Sequence, residues 1–452
     1  MQRLDRLRAK LGDLWWYTIL LFVVQRFGDA INMFAGLWLV PKYVPMKELG
    51  AVLPLTTIVS FIGIPLSIVS IPFLKFIAVF AEKKEFGKAK ALIRDTFIGT
   101  AVFAVFSILI AYFILPLFFE RLRIENGSLA LLLVTVTVLG AVSCIFYNAV
   151  TGLKLFSASI WFNALTAPLR LVILIALMPF RPLVGYVAGG AANPIVTIIG
   201  SFVVLRRFFK TTRRYESYWK DYGSAIWHYT WPLAVSTMVT IAASNMDALV
   251  IRHRLSEFES AGYYIITRFS DISMQLGSVF VAFLIPLLAG KNGADHESKK
   301  LTLQSVIGMT AAGSLLSIAL ALFGRPLLEL SDIWSPYAPL TPHMVALSVC
   351  SSIGMASLCI TTTLTARSQF GFLWLFLPIQ IIKSLLLYML TGYSFFSEWM
   401  PNEMINALAA FNPCRLSVVI WIWLVTSILT FIGLMLYAFN VKRDKQGVCQ
   451  TR

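Results

Sequence analysis

The sequence predicts an all-α integral membrane protein of about twelve transmembrane helices, in two six-helix bundles related by a pseudo-two-fold axis along the membrane normal. Composition, the spacing of apolar runs and the placement of basic residues predict it. Of 452 residues, 58% are apolar and 13% charged, with a mean hydropathy of +0.77. An average soluble domain carries about 25% charged residues, and no soluble interior is large enough to hide this much apolar surface. Disorder, a nucleic-acid module and a disulfide-stapled secreted domain are excluded. The net charge of +16 therefore has to be read by its placement in loops.

A bilayer core about 30 Å thick takes roughly 20 apolar residues per helix. Windows of that size give spans at 14–40, 51–78, 96–119, 129–152, 156–179 and 183–205 in the first half. The second half gives 224–251, 260–289, 302–324, 343–366, 370–391 and 416–439. Only Leu153-Lys154-Leu155 separates the fourth span from the fifth. Gly185, Gly189, Gly190 and Pro194 interrupt the sixth, as a bending point or as a site of close helix approach. The N-terminal bundle is thus 1–205 and the C-terminal bundle 224–452. A basic linker, 206–223, joins them and carries Tyr215, Tyr218 and Trp219 among its charges. It reads as an amphipathic segment on an anionic leaflet.

With an even number of spans both termini lie on one side. Taking that side as cytoplasmic puts 24 Lys and Arg there, 9 on the opposite side and 5 within spans, the asymmetry of positive-inside sorting. No loop is long enough to be a domain; the longest gap is 392–415. The first apolar stretch has no small-residue cleavage site, so it reads as a span and not a cleaved signal.

The halves repeat a pattern. Leu49-Gly50-Ala51 opens span two, which runs to Pro72 before Lys75; Ala261-Gly262-Tyr263 opens span eight, which runs to Pro286. Each Gly follows an acidic residue, Glu48 or Glu259, and each span leads into a charged stretch. Six spans per half give both halves one orientation, as in transporters built from parallel repeats.

From Glu48 to Asp95 the chain reads ELGAVLPLTTIVSFIGIPLSIVSIPFLKFIAVFAEKKEFGKAKALIRD. From Trp231 to Pro286 it holds Pro232, then Ser244-Asn245-Met246-Asp247, Ala261-Gly262-Tyr263-Tyr264 and Arg268-Phe269-Ser270-Asp271. In order and spacing these windows resemble the oligosaccharide flippases of the polysaccharide transporter family, within the multidrug/oligosaccharidyl-lipid/polysaccharide superfamily. The resemblance implies a transporter that flips a polyprenyl-phosphate-linked or pyrophosphate-linked oligosaccharide to the outer leaflet for polysaccharide biosynthesis, by alternating access. It implies membrane lipids and glycan assembly machinery as partners, a prokaryotic plasma membrane, no cofactor and no nucleic acid. In the related lipid II flippases, arginines of helices one, two and eight line a central cavity. Arg26 and Arg268 match helices one and eight; helix two has no arginine and carries Lys75 instead, which argues for a different glycan.

An ionisable group at membrane depth costs on the order of 3 kcal/mol, so it faces protein or a wet cavity. Arg26 with Asp29, and Arg268 with Asp271, repeat a three-residue spacing that sets each pair on one helix face. Each pair reads either as a packing ion pair or, with Arg170 and Lys383, as a net basic cavity lining. The second reading suits an anionic phosphate head group, which the planar guanidinium fork matches. Asp247 reads either as an interfacial partner of Arg252 and Arg254 or as a proton or cation site used in coupling. Lys75 and Lys383 are long enough to act as interfacial anchors instead.

The four histidines form no cluster, and the five cysteines show neither CxxC nor a Cys/His metal spacing. No GxSxG, Walker A or HExxH arrangement occurs, so the chain does not read as an enzyme or as its own ATPase. The competing transport reading is a multidrug and toxin extrusion type cation antiporter, which would favour acidic cavity residues over surplus arginine.

Overall fold

The computed structural model describes residues 13–124, 127–211, 216–289, 295–366, 370–390 and 415–440. Both chain ends, the 391–414 segment with Cys414, and the basic positions Lys291, Arg367, Arg213 and Arg214 lie outside the described residues. The helices are α1 (Asp13–Phe34), α2 (Val52–Glu82), α3 (Phe86–Arg121), α4 (Gly127–Gly152), α5 (Phe156–Leu177), α6 (Pro182–Gly189) and α7 (Ala192–Thr211). They continue as α8 (Trp219–Arg254), α9 (Glu257–Ala289), α10 (Asp295–Glu329), α11 (Thr341–Ala366), α12 (Leu373–Leu390) and α13 (Arg415–Asn440). No strand occurs among the described residues. Ten segments are long and apolar enough to cross a membrane, and α9 and the shorter α12 occupy the positions of the eighth and eleventh expected spans. The chain is a multi-pass, all-helical membrane protein. It divides into two compact units, Met1–Ile241 and Ala242–Arg452, with the division inside α8.

The apolar composition becomes helices with one lipid face and one packing face. On α3 the buried positions Thr100, Ala104, Ser107, Ala111 and Leu115 recur every three or four residues, while Phe106, Ile110, Tyr112 and Phe113 are exposed. Small residues let neighbouring helices approach, and the large ones meet lipid. Pro65 and Pro72 stand inside α2 and Pro232 inside α8, tolerated because neighbouring groups at membrane depth take up the freed carbonyls.

Three turns in the N-terminal unit share one device. Lys84, Arg123 and Lys154 have φ of 60°, 55° and 61°. After each, an amide reaches back five residues: Glu85 N to Phe80 O, Ile124 N to Phe119 O, and Leu155 N to Val150 O. This Schellman arrangement ends α2, α3 and α4 with a basic residue where glycine is commonest. It confirms the break at Leu153-Lys154-Leu155, between α4 and α5.

Several boundaries differ from the sequence reading. The charged stretch after span two is mostly helix: α3 starts at Phe86, so Lys88, Lys90 and Arg94 lie on its first turns. Lys90 Nζ donates to Phe209 O of α7 at 3.3 Å and Arg94 pairs with Asp95, while contacts with the start of α8 hold the turn before α3 and its first turn. Lys88 Nζ pairs with Asp221 Oδ2 at 2.7 Å, Lys83 Nζ donates to the Tyr222 hydroxyl at 3.0 Å, and Glu216 N donates to Gly87 O at 3.3 Å. Phe80 and Tyr222 meet edge to face at 5.0 Å. The sixth span is broken into α6 and α7 after Gly189 and Gly190. The same glycines permit close packing: a Cβ on Gly189 would come within 2.8 Å of Leu174, and one on Gly185 within 2.7 Å of the Met178 amide.

Gly262 does not open a helix. It sits inside α9, facing Tyr337 and Leu340 of a 3-10 segment, Ser335–Leu340. The start of α9 is set earlier by a capping box, in which Glu259 N donates to Ser256 Oγ at 3.2 Å and Ser256 N to Glu259 Oε2 at 3.1 Å. In the second unit, Met309, Met355, Cys359, Ile360, Phe372 and Leu434 form a common apolar core.

Candidate functional site

Each unit holds one cluster of charges at membrane depth. In the N-terminal unit, Arg26, Asp29 and Asn32 follow one another at three-residue steps along α1. Arg26 Nη2 pairs with Asp29 Oδ2 at 2.9 Å, and its guanidinium carbon lies 5.7 Å from the Phe22 ring centroid. Gly28 brings α1 close to Ala167 of α5, where a Cβ would stand 3.5 Å from the alanine methyl. One turn along, Arg170 Nη1 donates to Asn32 Oδ1 at 2.9 Å. The Arg170 guanidinium also lies 6.0 Å from the ring of Tyr186 on α6. It has no acidic partner among the described residues. Lys75 rests its ammonium 3.7 Å from the ring of Tyr229 on α8, an aromatic contact in place of a counter-ion.

In the C-terminal unit the cluster is built from five helices, α8, α9, α11, α12 and α13. Tyr263, Thr267 and Asp271 occupy one face of α9 at four-residue steps. Ser270 ties that helix to α11 by donating to Met344 O at 3.1 Å. Arg268 Nη1 reaches Asp271 Oδ2 at 3.4 Å, a longer pair than its counterpart on α1. Asp247 on α8 is 5% exposed, and its Oδ2 accepts a hydrogen bond from the Tyr263 hydroxyl. Lys383 on α12 is 4% exposed and acts electrostatically on Asp247 and on the Cys350 thiol of α11. Its ammonium stands 3.2 Å from the ring centroid of Trp423 on α13.

The seven expected site residues therefore fall into two groups, Arg26, Asp29 and Arg170 in one unit and Asp247, Arg268, Asp271 and Lys383 in the other. Two expectations change. Asp247 is not an interfacial residue leaning on Arg252 and Arg254. Arg252 is five residues away, on another side of the helix, and Arg254 is two turns along; the groups that meet Asp247 come from α9 and α12. The surplus of basic charge is also smaller than the residue list implied. Arg26 with Asp29, Arg268 with Asp271, and Lys383 with Asp247 oppose each other, which leaves Arg170 on a neutral amide. Sequence reasoning missed Asn32, Tyr186, Tyr263 and Trp423 as companions of these charges. An amide or aromatic ring in a span is too common to stand out without its neighbour. No group of three or more metal-ligating side chains occurs among the described residues.

The chain is similar over 93% of its length to 98% of an inward-facing multidrug resistance MATE family transporter of the MOP superfamily, at TM-score 0.66 and 12% identity. The fold is that of the MATE transporters. A MATE transporter from Vibrio cholerae, VcmN, aligns with 97% of this chain and 98% of its own, at TM-score 0.61 and 14% identity. A third MATE-like structure is a MOP superfamily transporter from Pyrococcus furiosus, for which reverse polarity of the binding pocket suggests a different function. It covers 95% of this chain and 97% of its own at TM-score 0.61 and 12% identity. No family model and no curated protein matches the chain. At these identities the likeness to MATE transporters extends to the fold alone.

Proposed function

We propose that this protein is a secondary transporter of the multidrug and toxin extrusion type, exchanging a cation for its cargo by alternating access. The observation that carries the reading is the MATE-like fold over nearly the whole chain. The pairing of three of the four expected basic site residues with carboxylates agrees with it, because the net positive lining that argued against a cationic cargo is largely cancelled. Asp247 is the residue to which we assign ion coupling, being a carboxylate removed from water. The expected setting is a prokaryotic plasma membrane with both termini in the cytoplasm, the side to which 24 basic residues are assigned.

A second reading, the flipping of a polyprenyl-phosphate-linked oligosaccharide, is favoured by one observation. Arg170 lacks an acidic partner among the described residues, and a guanidinium held only by an amide suits a phosphate. The MATE-like fold also accommodates a pocket of reversed polarity in the Pyrococcus furiosus transporter. One experiment separates the two. Cells lacking the protein are compared with rescued cells for sensitivity to lipophilic dye cations and for their polyprenyl-linked saccharides by lipid mass spectrometry. Dye sensitivity with an unchanged lipid pool is the expected result. Accumulated lipid-linked saccharide that only the wild type clears would establish the flippase and place glycan assembly machinery among its partners.

A further inference from the structure

No carboxylate answers Arg170 among the described residues. Its helix, α5, packs against α1, α4, α6, α7 and the π-helical segment Ala35–Leu39. Neither α4, α6 nor that segment carries a charged residue, and the charges of α7 stand in its last turns, at Arg206, Arg207 and Lys210. At this depth α1 brings Arg26 and Asp29, which pair with each other at 2.9 Å. The cluster is left with one surplus positive charge within the membrane, where such a charge is costly. What surrounds that charge is a set of donors. Arg170 Nη1 donates to Asn32 Oδ1 at 2.9 Å, which spends the one side-chain acceptor of Asn32 and leaves its amide hydrogens with no acceptor among the described residues. Arg170 Nε is buried and likewise has no acceptor. The stem is held by close packing, since a Cβ on Gly189 would stand 3.6 Å from Arg170 Cγ, and the Tyr186 ring flanks the guanidinium at 6.0 Å. Arg170 is half-buried, so the part of it that can be reached is the Nη side, beside the Asn32 amide.

We propose that Arg170 and Asn32 hold a small monovalent anion, a halide such as chloride, between α1 and α5. Donors whose acceptor is already spent suit an anion and repel a cation. One negative charge balances the cluster of Arg26, Asp29 and Arg170, whereas a divalent phosphate would overshoot and leave a charge of the opposite sign at the same depth. The site belongs to the N-terminal unit alone and stands apart from the antiporter reading; a phosphate-linked cargo, the second reading, would compete for the same guanidinium edge.

The test is thermal melting of the purified full-length protein in sodium chloride, sodium gluconate or sodium phosphate at one sodium concentration, with no cargo needed. Chloride is expected to raise the wild-type midpoint saturably over gluconate, by about 4 °C at roughly ten times its dissociation constant. R170Q is expected to lose that rise. N32D, which sets a carboxylate beside Arg170 Nη1, is expected to melt alike in chloride and gluconate, because the counter-charge is then part of the chain. Equal melting of wild type in chloride and gluconate would overturn the proposal, as would a chloride effect that a folded R170Q keeps. A rise in phosphate but not in chloride, lost in R170Q, also overturns it and points to a phosphate group instead. Where R170Q fails to fold, N32D decides: a chloride effect as large as that of wild type overturns the proposal, and its loss supports it. Efflux of a dye cation is scored separately. Its absence removes the antiporter reading while leaving the chloride result standing.

Discussion

Asp247, Lys383 and Arg170 show what a single residue in a span can and cannot reveal. Their presence at membrane depth was legible in the sequence because such charges are costly. Their surroundings were not, because an aspartate on α8 meets a tyrosine on α9, and comes within electrostatic reach of a lysine on α12, only after the helices pack. Asp247 and Lys383 are both buried and of opposite charge, so removing one leaves the other less compensated. Lys383→Ala is expected to destabilise by about 3 to 5 kcal/mol, and the double Asp247→Asn, Lys383→Ala variant by clearly less, read from thermal melts in detergent. Tyr263→Phe removes one hydrogen bond to a charged group and is expected to cost about 1.5 to 3 kcal/mol. Arg170 separates the two transport readings at this scale. Under the antiporter reading Arg170→Lys and Arg170→Ala keep dye efflux within a few-fold, whereas a phosphate cargo would make even Arg170→Lys defective.

Elements are decided at their ends. Lys154 adopts a left-handed conformation to close the turn between α4 and α5, at a cost of about 1 kcal/mol or more for a residue with a side chain. Lys154→Gly is therefore expected to raise stability by about 1 kcal/mol in a thermal melt. Ser256→Ala should lower it by about 1 kcal/mol through loss of the α9 cap. The start of α8 is fastened to the turn between α2 and α3, and one of its groups has a pH signature. Burial, reinforced by the Asp95 carboxylate, pushes the Tyr218 hydroxyl up to about 12. A raised folded-state value means the contribution is complete below the ordinary value of 10.0 and is lost between there and about 12. Melting curves should show an alkaline loss of about 2 to 3 kcal/mol over that window, absent in Tyr218→Phe. The break at Lys154 was read from sequence, since turn chemistry is local, whereas the start of α9 was expected at Gly262 and is set by the Ser256 cap instead. The helical continuation of Phe86–Arg94 could not be read, because long-range contacts such as Lys88 with Asp221 hold it.

For the whole molecule, the distribution of lysine and arginine predicts sidedness directly. Single cysteines introduced at Lys83 and Lys154 in a cysteine-free background should react from one side of the membrane, and those at Arg123 and Arg181 from the other. Membrane insertion, the number of spans and their approximate limits follow from the amino-acid sequence, because transfer of about 20 apolar residues into lipid is a local property summed along the chain. The interruption of the sixth span was readable as a bending point or as tight packing; packing breaks the helix after Gly189 and gives the tight approach at Gly185 and Gly189. Charge compensation is different in kind. A list of intramembrane residues counts surplus arginine, but the electrostatics depend on which carboxylate lies beside which cation, at distances that only folded helices set. The composition made this a membrane protein; the packing of α8, α9, α12 and α13 set the buried Asp247 against the Tyr263 hydroxyl and within the electrostatic reach of the buried Lys383.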